Sequence, residues 1–159
     1  MKHNTSDLCD HYGSELQVAA GGLSHFGGSS VFHGPITTLR VQQDFLLIKQ
    51  KLATPGNNQV LVIDGDGFEG CALLGDSLAA MAIENGWSGI VINGFVRDSA
   101  TLAELMIGVI ALGTCPVRPA QAGGGEEDIE VSFAGIVFRP GEYLYADQDG
   151  LVTSPTFYK

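Results

Sequence analysis

The chain has 159 residues and a formal net charge of -10; 45% of its residues are hydrophobic and 16% are charged. This length and composition predict one globular domain over residues 1–159 and exclude a disordered chain. The negative charge, with no cluster of Lys or Arg, disfavours direct contact with nucleic acid. The 22 glycines predict many turns and disfavour a helical bundle.

The cysteines and the chain start bear on the cellular setting. Cys9, Cys71 and Cys115 are odd in number and widely spaced, so neither a disulfide framework nor a zinc site is expected. The first residues, "MKHNTSDLCDHYG", lack the apolar segment of a secretory signal, and the longest apolar run, "LMIGVIALG", is too short to span a bilayer. We therefore expect a cytoplasmic protein with no membrane segment.

The first third of the chain is predicted to contain two short helices and a strand. "TSDLCDHYG" predicts a helix capped by Thr5 or Ser6 and stopped by Gly13. After a glycine-rich segment, the β-branched run "ITTLRV" predicts a strand. The apolar spacing of "DFLLIKQKLA" then predicts a helix.

The middle of the chain predicts a parallel βαβ unit. "QVLVIDG" and "SGIVING" are continuous apolar runs typical of buried strands. Between them, "DSLAAMAIENG" predicts a helix that ends near Gly86. The helix-like "ATLAELMIG" leads into a further apolar segment, "VIALG".

The last third predicts a β-meander. Four short strands, "IEVSF", "GIVF", "YLYAD" and "LVTS", are separated by the turn pairs Pro140 with Gly141 and Asp149 with Gly150. The pattern as a whole predicts an α/β fold in which two sheet regions share a layer of helices.

The loop "VLVIDGDGFEG" places Gly65, Gly67 and Gly70 in the GxGxxG spacing of dinucleotide-binding loops. Its context argues against that function. The next helix is predicted to begin only near Asp76, and two acidic residues stand where a pyrophosphate would lie. We interpret the segment as a glycine-rich loop without a nucleotide.

Asp76 has two compatible interpretations at the start of its predicted helix. The structural one is an N-cap whose charge complements the helix dipole. The functional one is that free backbone N–H groups at the helix start form a carboxylate-binding cradle. The residues of this cradle would be Gly75, Asp76, Ser77 and Leu78.

Arg97 and Asp98 follow the apolar strand "SGIVINGFV" directly. Adjacent opposite charges at a strand end are commonly only solvated surface. However, ligands of parallel sheets bind outside the carboxyl ends of the strands, where this pair lies. The start of the connecting helix must lie across the same sheet, so we expect it to converge with Arg97 and Asp98. Arg offers a planar fork for a carboxylate or a developing enolate oxygen, and Asp is a hard ligand for a Mg2+-type ion.

Together these residues resemble the signature of a known family. Asp76, the 20 residues 77–96, and then Arg97 with Asp98 are similar to the family that joins 4-hydroxy-4-methyl-2-oxoglutarate aldolases to RraA-type regulators of ribonuclease E activity. "TSDLCD", "FHGPITTLRV" and "RPGEYLYADQDGLVTSP" extend the resemblance over nearly the whole chain.

The resemblance implies a fold, an assembly and residue roles. The fold would be a three-layer β/β/α sandwich of the swivelling-domain type, assembled as a homotrimer with the site near a subunit boundary. The backbone of residues 75–78 would hold the pyruvyl carboxylate, Arg97 would bind substrate, and Asp98 would hold Mg2+ or Mn2+ largely through water. Arg97 and Asp76 would be catalytic, Arg97 beside the developing oxyanion and Asp76 by positioning a water.

Two functions within this family remain open, with a third outside it. Regulator members often lack one or both acids, so retention of Asp76 and Asp98 favours a metal-dependent aldolase that releases pyruvate from 2-oxo acids and decarboxylates oxaloacetate through the same enolate. The alternative is a regulator that inhibits ribonuclease E by protein–protein binding. A binder with a vestigial site is the third. Longer aldolase members carry C-terminal extensions, which leaves the substrate more open than the reaction class.

Overall fold

The computed structural model describes residues 4–159. Its α-helices are α1 (Thr5–Tyr12), α2 (Leu46–Leu52), α3 (Asp76–Glu84) and α4 (Ser99–Leu102). Its strands are β1 (Gln17–Val18), β2 (Ser24–His25), β3 (Phe32–Arg40), β4 (Val60–Asp64), β5 (Ala72–Leu74), β6 (Gly89–Asn93), β7 (Phe95–Val96), β8 (Gly108–Ala111), β9 (Gly113–Thr114), β10 (Glu126–Glu127), β11 (Val131–Phe133), β12 (Ile136–Phe138), β13 (Tyr143–Asp147) and β14 (Gly150–Ser154). Within residues 4–159, none of the helices is long and apolar enough to cross a membrane.

The large sheet has the strand order β1-β14-β13-β3-β4-β6-β8-β2, with β10 paired to β3. Its centre is parallel: β3 pairs with β4, β4 with β6, and β6 with β8. Val60 lies opposite Gly89 in the β4–β6 register, so the predicted parallel βαβ unit is confirmed. The flanking strands β13 and β2 join this centre in antiparallel pairs.

Side-chain alternation along the central strands places core on both faces of the sheet. In β4, Leu61 and Ile63 belong to a core cluster with the helix residues, whereas Val60 and Val62 belong to a second cluster with residues of β11–β14. The sheet curls, so its parallel centre is the middle of three layers, as the resemblance implied. Helices cover one face of this centre, and the β11–β12 hairpin with the sheet's own β13–β14 part covers the other. Burying each of these aliphatic side chains contributes about 1.5–3 kcal/mol.

The helical layer consists of α2, α3 and α4. Helix α3 buries Leu78, Ala79 and Ala82 against the sheet, the spacing of one helical face. Helix α4 is shorter than the predicted "ATLAELMIG" helix. The residues after Leu102 leave the helix. The Leu105 carbonyl accepts the Gly28 N–H at 2.8 Å, and this bond connects the segment after α4 to the loop between β2 and β3.

A second, three-stranded parallel sheet of β5, β7 and β9 lies beyond the carboxyl ends of β4, β6 and β8. The predicted strand "SGIVINGFV" is thus divided at Gly94, with β6 in the large sheet and β7 in the small one. A Cβ at position 94 would lie 3.2 Å from Leu73 Cδ1 and 3.3 Å from Ile92 Cγ2, so a side chain would crowd both neighbours at this break.

The four predicted C-terminal strands all form and are arranged as two antiparallel hairpins, β11–β12 and β13–β14. Helix α1 packs on the second hairpin through Leu8, which is fully buried with Tyr145 and Val152. The prediction of Thr5 or Ser6 as the cap of α1 was wrong. Asn4 is the N-cap and accepts the Ser6 N–H at 2.9 Å, because Thr5 donates to Asp147 instead.

Asp147 fastens α1 to the second hairpin. Its carboxylate accepts the Thr5 N–H and the Thr5 hydroxyl, each at 2.7 Å, and the Asp149 N–H at 2.9 Å. Burial alone would raise the pKa of Asp147, but these hydrogen bonds, with one from the Gly150 N–H, together hold the pKa below its ordinary value. The ionised carboxylate therefore contributes to the stability of the fold.

We predict that Asp147→Asn lowers the free energy of unfolding by about 2 kcal/mol at neutral pH, because the amide leaves a buried donor unpaired. The carboxylate stabilises the fold above its unfolded-state pKa of about 3.9, and that contribution is lost as pH falls through the lower folded-state pKa. The stability gap between the two proteins should therefore narrow below about pH 4. Urea unfolding from pH 7 to pH 3 measures this difference in the free energy of unfolding, with the exposed Asp10→Asn as control. A difference that is the same at every pH would contradict the stabilising role of the ionised Asp147 carboxylate.

Candidate active site

The carboxyl ends of β5, β7 and β9 lead into one cavity of about 400 Å³. All the site residues predicted from the sequence line it: Gly75, Asp76, Ser77, Leu78, Arg97 and Asp98. The helix start and the Arg97–Asp98 pair therefore converge on one cavity.

The start of α3 differs from the sequence prediction by one residue. Gly75 is the N-cap and Asp76 is the first helical residue, so the prediction of Asp76 as N-cap was wrong. The capping acceptor comes from elsewhere in the chain: Asp98 Oδ2 accepts the Asp76 N–H at 3.1 Å. A one-residue offset cannot be read from propensity, because Asp is favourable both at the cap and in the first turn.

Position 75 requires glycine because the side chains of Arg97 and Asp98 approach its backbone closely. Its backbone conformation is extended, which any residue can adopt. A Cβ at this position would lie 2.6 Å from Asp98 Oδ2 and 3.5 Å from Arg97 Nε. The helix start and the Arg97–Asp98 pair can pack this closely only because position 75 has no side chain.

Arg97 is held against the strand that precedes α3. Its backbone N–H donates to the Leu74 carbonyl at 2.9 Å, which continues the pairing of β7 with β5. The side chain is half-buried and lines the cavity. This main-chain pairing places the guanidinium beside the start of α3.

Asp98 occupies the left-handed backbone region, with φ 59° and ψ 40°. Asp is one of the few non-glycine residues that adopt this conformation without large cost. Asp98 is also the N-cap of α4, but its side chain makes no capping bond there and reaches Asp76 instead. The turn therefore directs an exposed carboxylate to the cavity rather than to its own helix.

Three polar residues of the cavity were not singled out from the sequence: Lys49 on α2, and Arg118 and Gln121 after β9. The sequence did contain a pattern that indicates Arg118. "VIALG" is a third apolar run, and the residues after its carboxyl end should also face the site. Lys49 carries no such signal, since a lysine on the polar face of a helix is usually only solvated surface.

The cavity wall combines carboxylates with cations. One carboxylate oxygen of Asp98 accepts the Asp76 N–H, and Asp76 itself lines the same cavity. No group of three or more His, Cys, Asp and Glu side chains able to hold a metal occurs among residues 4–159. The donors present fit a hard Mg2+-type ion held by one carboxylate with water and substrate oxygens, and they do not fit a closed protein cage.

Cys71 lies directly before β5, close to the cavity wall. Burial raises the pKa of its thiol, and the nearby Cys115 raises it further. A thiol that stays protonated is a weak nucleophile, so Cys71 acts here as a small buried side chain.

The loop that carries Gly65, Gly67 and Gly70 connects β4 to β5. It leads into the strand β5 and not into a helix, and α3 begins only at Asp76. The helix N-terminus that a dinucleotide-binding loop needs is therefore absent directly after it.

Comparison with known proteins identifies the family. The sequence profile of the RraA-like family, described as Aldolase/RraA, matches residues 5–153. A protein of Laribacter hongkongensis (strain HLHK9), provisionally named 4-hydroxy-4-methyl-2-oxoglutarate aldolase, is 48% identical over 155 residues, covering 98% of each chain. The chain belongs to the RraA-like family.

Solved structures of two relatives share the whole fold. The RNA-processing inhibitor RraA from Thermus thermophilis has a TM-score of 0.95 at 40% identity and covers 100% of this chain and 96% of its own. A protein of Geobacillus kaustophilus HTA426, named S-adenosylmethionine: 2-dimethylmenaquinone methyltransferase, has a TM-score of 0.94 at 44% identity and covers 97% of this chain and 96% of its own. Relatives of one fold therefore carry three different functional names.

We predict that Gly75→Ala lowers the free energy of unfolding by about 1–3 kcal/mol, because the added methyl group would displace the Asp98 carboxylate from the start of α3. Urea unfolding measures the change. Gly21→Ala is the matched control, since a Cβ there meets nothing within 4 Å and its backbone conformation suits alanine. Equal stability of the two variants would mean that the close packing of position 75 is not required.

Proposed function

We propose that this protein is a divalent-metal-dependent carbon–carbon lyase that cleaves 4-hydroxy-4-methyl-2-oxoglutarate-type 2-oxo acids to pyruvate and decarboxylates oxaloacetate through the same enolate. The observation that carries the proposal is the convergence of the α3 start, Arg97 and Asp98 on one cavity. The aldolase name of relatives that match nearly the full length of the chain supports the same reaction.

The start of α3 supplies donors for the substrate carboxylate. The first hydrogen bond within α3 runs from the Ala79 N–H to the Gly75 carbonyl, so the N–H groups of Ser77 and Leu78 precede the helical ladder. These two donors, with the positive end of the helix dipole, suit a pyruvyl carboxylate. The Asp76 N–H is occupied by Asp98, which fixes the orientation of this end of the helix.

The chemical step breaks the bond between C3 and C4 of the substrate. The C4 hydroxyl loses its proton, the C4 oxygen forms a carbonyl, and the electron pair of the broken bond forms a pyruvate enolate that is later protonated at C3. Arg97 stabilises the negative charge that develops on the enolate oxygen. Asp76, which lines the cavity, would position the water that accepts and returns the proton.

Asp98 is the residue that would hold Mg2+ or Mn2+, with water and the two substrate oxygens as the other ligands. When bound, such an ion acts as a Lewis acid that polarises the 2-keto group. Oxaloacetate decarboxylation needs the same stabilisation of an enolate, so one site serves both reactions.

The cavity disfavours the methyltransferase activity named for the Geobacillus relative. S-adenosylmethionine carries a sulfonium cation at its reacting centre, whereas Arg97, Arg118 and Lys49 all line this cavity. Like charges in one cavity repel, and an anionic substrate suits these residues better.

We propose a cytoplasmic homotrimer as the working form, which rests on the family resemblance. Large apolar side chains on the surface are consistent with contacts between copies: Met106 is 75% exposed and Val117 is 52% exposed. Sedimentation velocity would give the oligomeric state.

The second candidate function is inhibition of ribonuclease E by protein–protein binding. It is favoured by the similarity to the RNA-processing inhibitor RraA and by the net charge of -10, which suits an Arg-rich partner. A complex that weakens steeply with added salt would support it. A protein can keep an enzymatic site and still bind a ribonuclease, so one function does not exclude the other.

We predict that Arg97→Ala lowers pyruvate release from 4-hydroxy-4-methyl-2-oxoglutarate by roughly several hundred-fold without unfolding the chain, because removal of one preorganised oxyanion donor costs about 3–4 kcal/mol. A coupled lactate dehydrogenase assay measures the rate, and thermal unfolding checks the fold. Arg139→Ala, an exposed arginine paired with Glu130, is the control. Near-normal turnover in Arg97→Ala would overturn the assignment.

We predict that EDTA abolishes pyruvate release from oxaloacetate above background and that Mg2+ or Mn2+ restores it. Asp98→Asn keeps an acceptor for the Asp76 N–H but removes the charge. This variant should therefore require a far higher metal concentration to reach the same rate of pyruvate release. The matched control is Asp66→Asn, since Asp66 also has a positive φ in a loop after a strand and is not among the cavity residues. Full activity in EDTA would contradict the metal dependence.

A further inference from the structure

Cationic side chains are few in this protein, and three of the eight line the cavity. The chain has 8 Lys and Arg residues against 18 Asp and Glu. Arg97, Lys49 and Arg118 line the cavity, while Arg40 and Arg139 form ion pairs elsewhere with nearby carboxylates. These three cations face two carboxylates, Asp76 and Asp98, so the cavity wall is net positive in an otherwise acidic protein and favours an anionic ligand.

Two of these cations are not needed for the pyruvyl end of the substrate. Arg97 and the start of α3 already provide donors for one carboxylate and the enolate oxygen. Lys49 comes from α2 and Arg118 from the loop after β9, so two separate elements bring positive charge to the same cavity.

A buried carboxylate joins these two elements. Asp44 is only 5% exposed, and each of its oxygens has a partner: Oδ1 accepts the Leu46 N–H at 2.8 Å, and Oδ2 accepts the Gly123 N–H at 2.9 Å. The first bond caps the start of α2, which carries Lys49. The second holds the end of the loop that carries Arg118.

Main-chain bonds continue this connection. The Phe45 N–H donates to the Ala120 carbonyl at 3.2 Å, and the Ala120 N–H donates to the Gln43 carbonyl at 3.0 Å. Phe45, Pro119 and Gln121 from the two joined segments line the cavity. The loop after β9 and the start of α2 therefore form one wall of the cavity.

We propose that Lys49 and Arg118 form a second anion subsite that binds the distal carboxylate of a dicarboxylic 2-oxo acid, and that Asp44 is the positioning residue for both. This inference rests on the proposed function, whose substrates carry two carboxylates, and assigns the residues that bind the distal one. The cavity of about 400 Å³ has the size of a small-molecule site and accommodates a short, branched dicarboxylic acid. Charge-assisted bonds to both carboxylates then select dicarboxylic over monocarboxylic substrates.

The test compares two substrates that differ only at the distal end: 4-hydroxy-4-methyl-2-oxoglutarate, and a 4-hydroxy-4-methyl-2-oxo acid with a methyl group in place of the distal carboxylate. Arg118→Gln and Lys49→Gln should each lower kcat/KM for the dicarboxylic substrate by about 10- to 100-fold, mainly through KM, since each loses one charged hydrogen bond. The monocarboxylic substrate should change less than about 3-fold, because it never makes that bond.

Lys51→Gln is the matched control, since Lys51 lies on the same helix and is not among the cavity residues. It should leave kcat/KM for both substrates unchanged. Equal losses for the two substrates in Arg118→Gln or Lys49→Gln would overturn the subsite, because they would report general damage to the cavity.

Asp44→Asn tests the positioning role. The amide still accepts one N–H but cannot accept both, so the loop after β9 loses its anchor to α2. KM for the dicarboxylic substrate should rise about 10-fold, with kcat for the monocarboxylic substrate unchanged. A purely structural role would lower kcat for both substrates together, and that result would overturn the positioning assignment.

A binding experiment separates this inference from the proposed reaction. Calorimetric titration of 2-oxoglutarate and 2-oxobutyrate, with and without a distal carboxylate, needs no turnover. The wild type should prefer 2-oxoglutarate, and Arg118→Gln should lose about 10-fold of that preference. If neither lyase substrate releases pyruvate but this preference is found and lost in the variant, the proposed function fails and the subsite stands. Equal affinity for the two acids in the wild type would overturn the subsite.

Discussion

The hydrogen bond from the Asp76 N–H to the Asp98 carboxylate joins the two segments of the chain on which the site depends. It caps α3 with a side chain that lies 22 residues away, and it requires a glycine at position 75 and a left-handed turn at position 98. This contact fixes the carboxylate relative to the helix start, and the bond from the Arg97 N–H to the Leu74 carbonyl places the guanidinium beside both. Loss of any of these features would release Asp98 from the cavity wall.

The arrangement follows from the parallel strands beneath it. Three strands of the large sheet are each followed, after an interruption, by a strand of the small sheet, and the order β4-β6-β8 is repeated as β5-β7-β9. Carboxyl ends of parallel strands meet at one edge, where the chain leaves the sheet and its polar groups need other partners. Buried aliphatic side chains on both faces of the large sheet hold this edge rigid, so short polar segments can be placed accurately.

Much of this could be predicted from the sequence, for physical reasons that also explain the rest. Continuous apolar runs identified β4 and β6, and the position of Arg97 and Asp98 after one of them predicted the convergence with α3. The division of a strand at Gly94 and the cap at Gly75 depend on contacts with distant residues, which no local pattern contains. Lys49 was missed because its role depends on the loop after β9, which Asp44 fastens to α2.

The central claim is that Asp98, Arg97 and the start of α3 form one metal-assisted site for a 2-oxo carboxylate. A crystal soaked with Mn2+ and pyruvate, measured at the manganese absorption edge, tests it most directly. The account predicts an anomalous peak beside Asp98, with the pyruvate carboxylate on the N–H groups of Ser77 and Leu78 and its keto oxygen facing Arg97. Manganese bound elsewhere, or pyruvate density away from the start of α3, would contradict it.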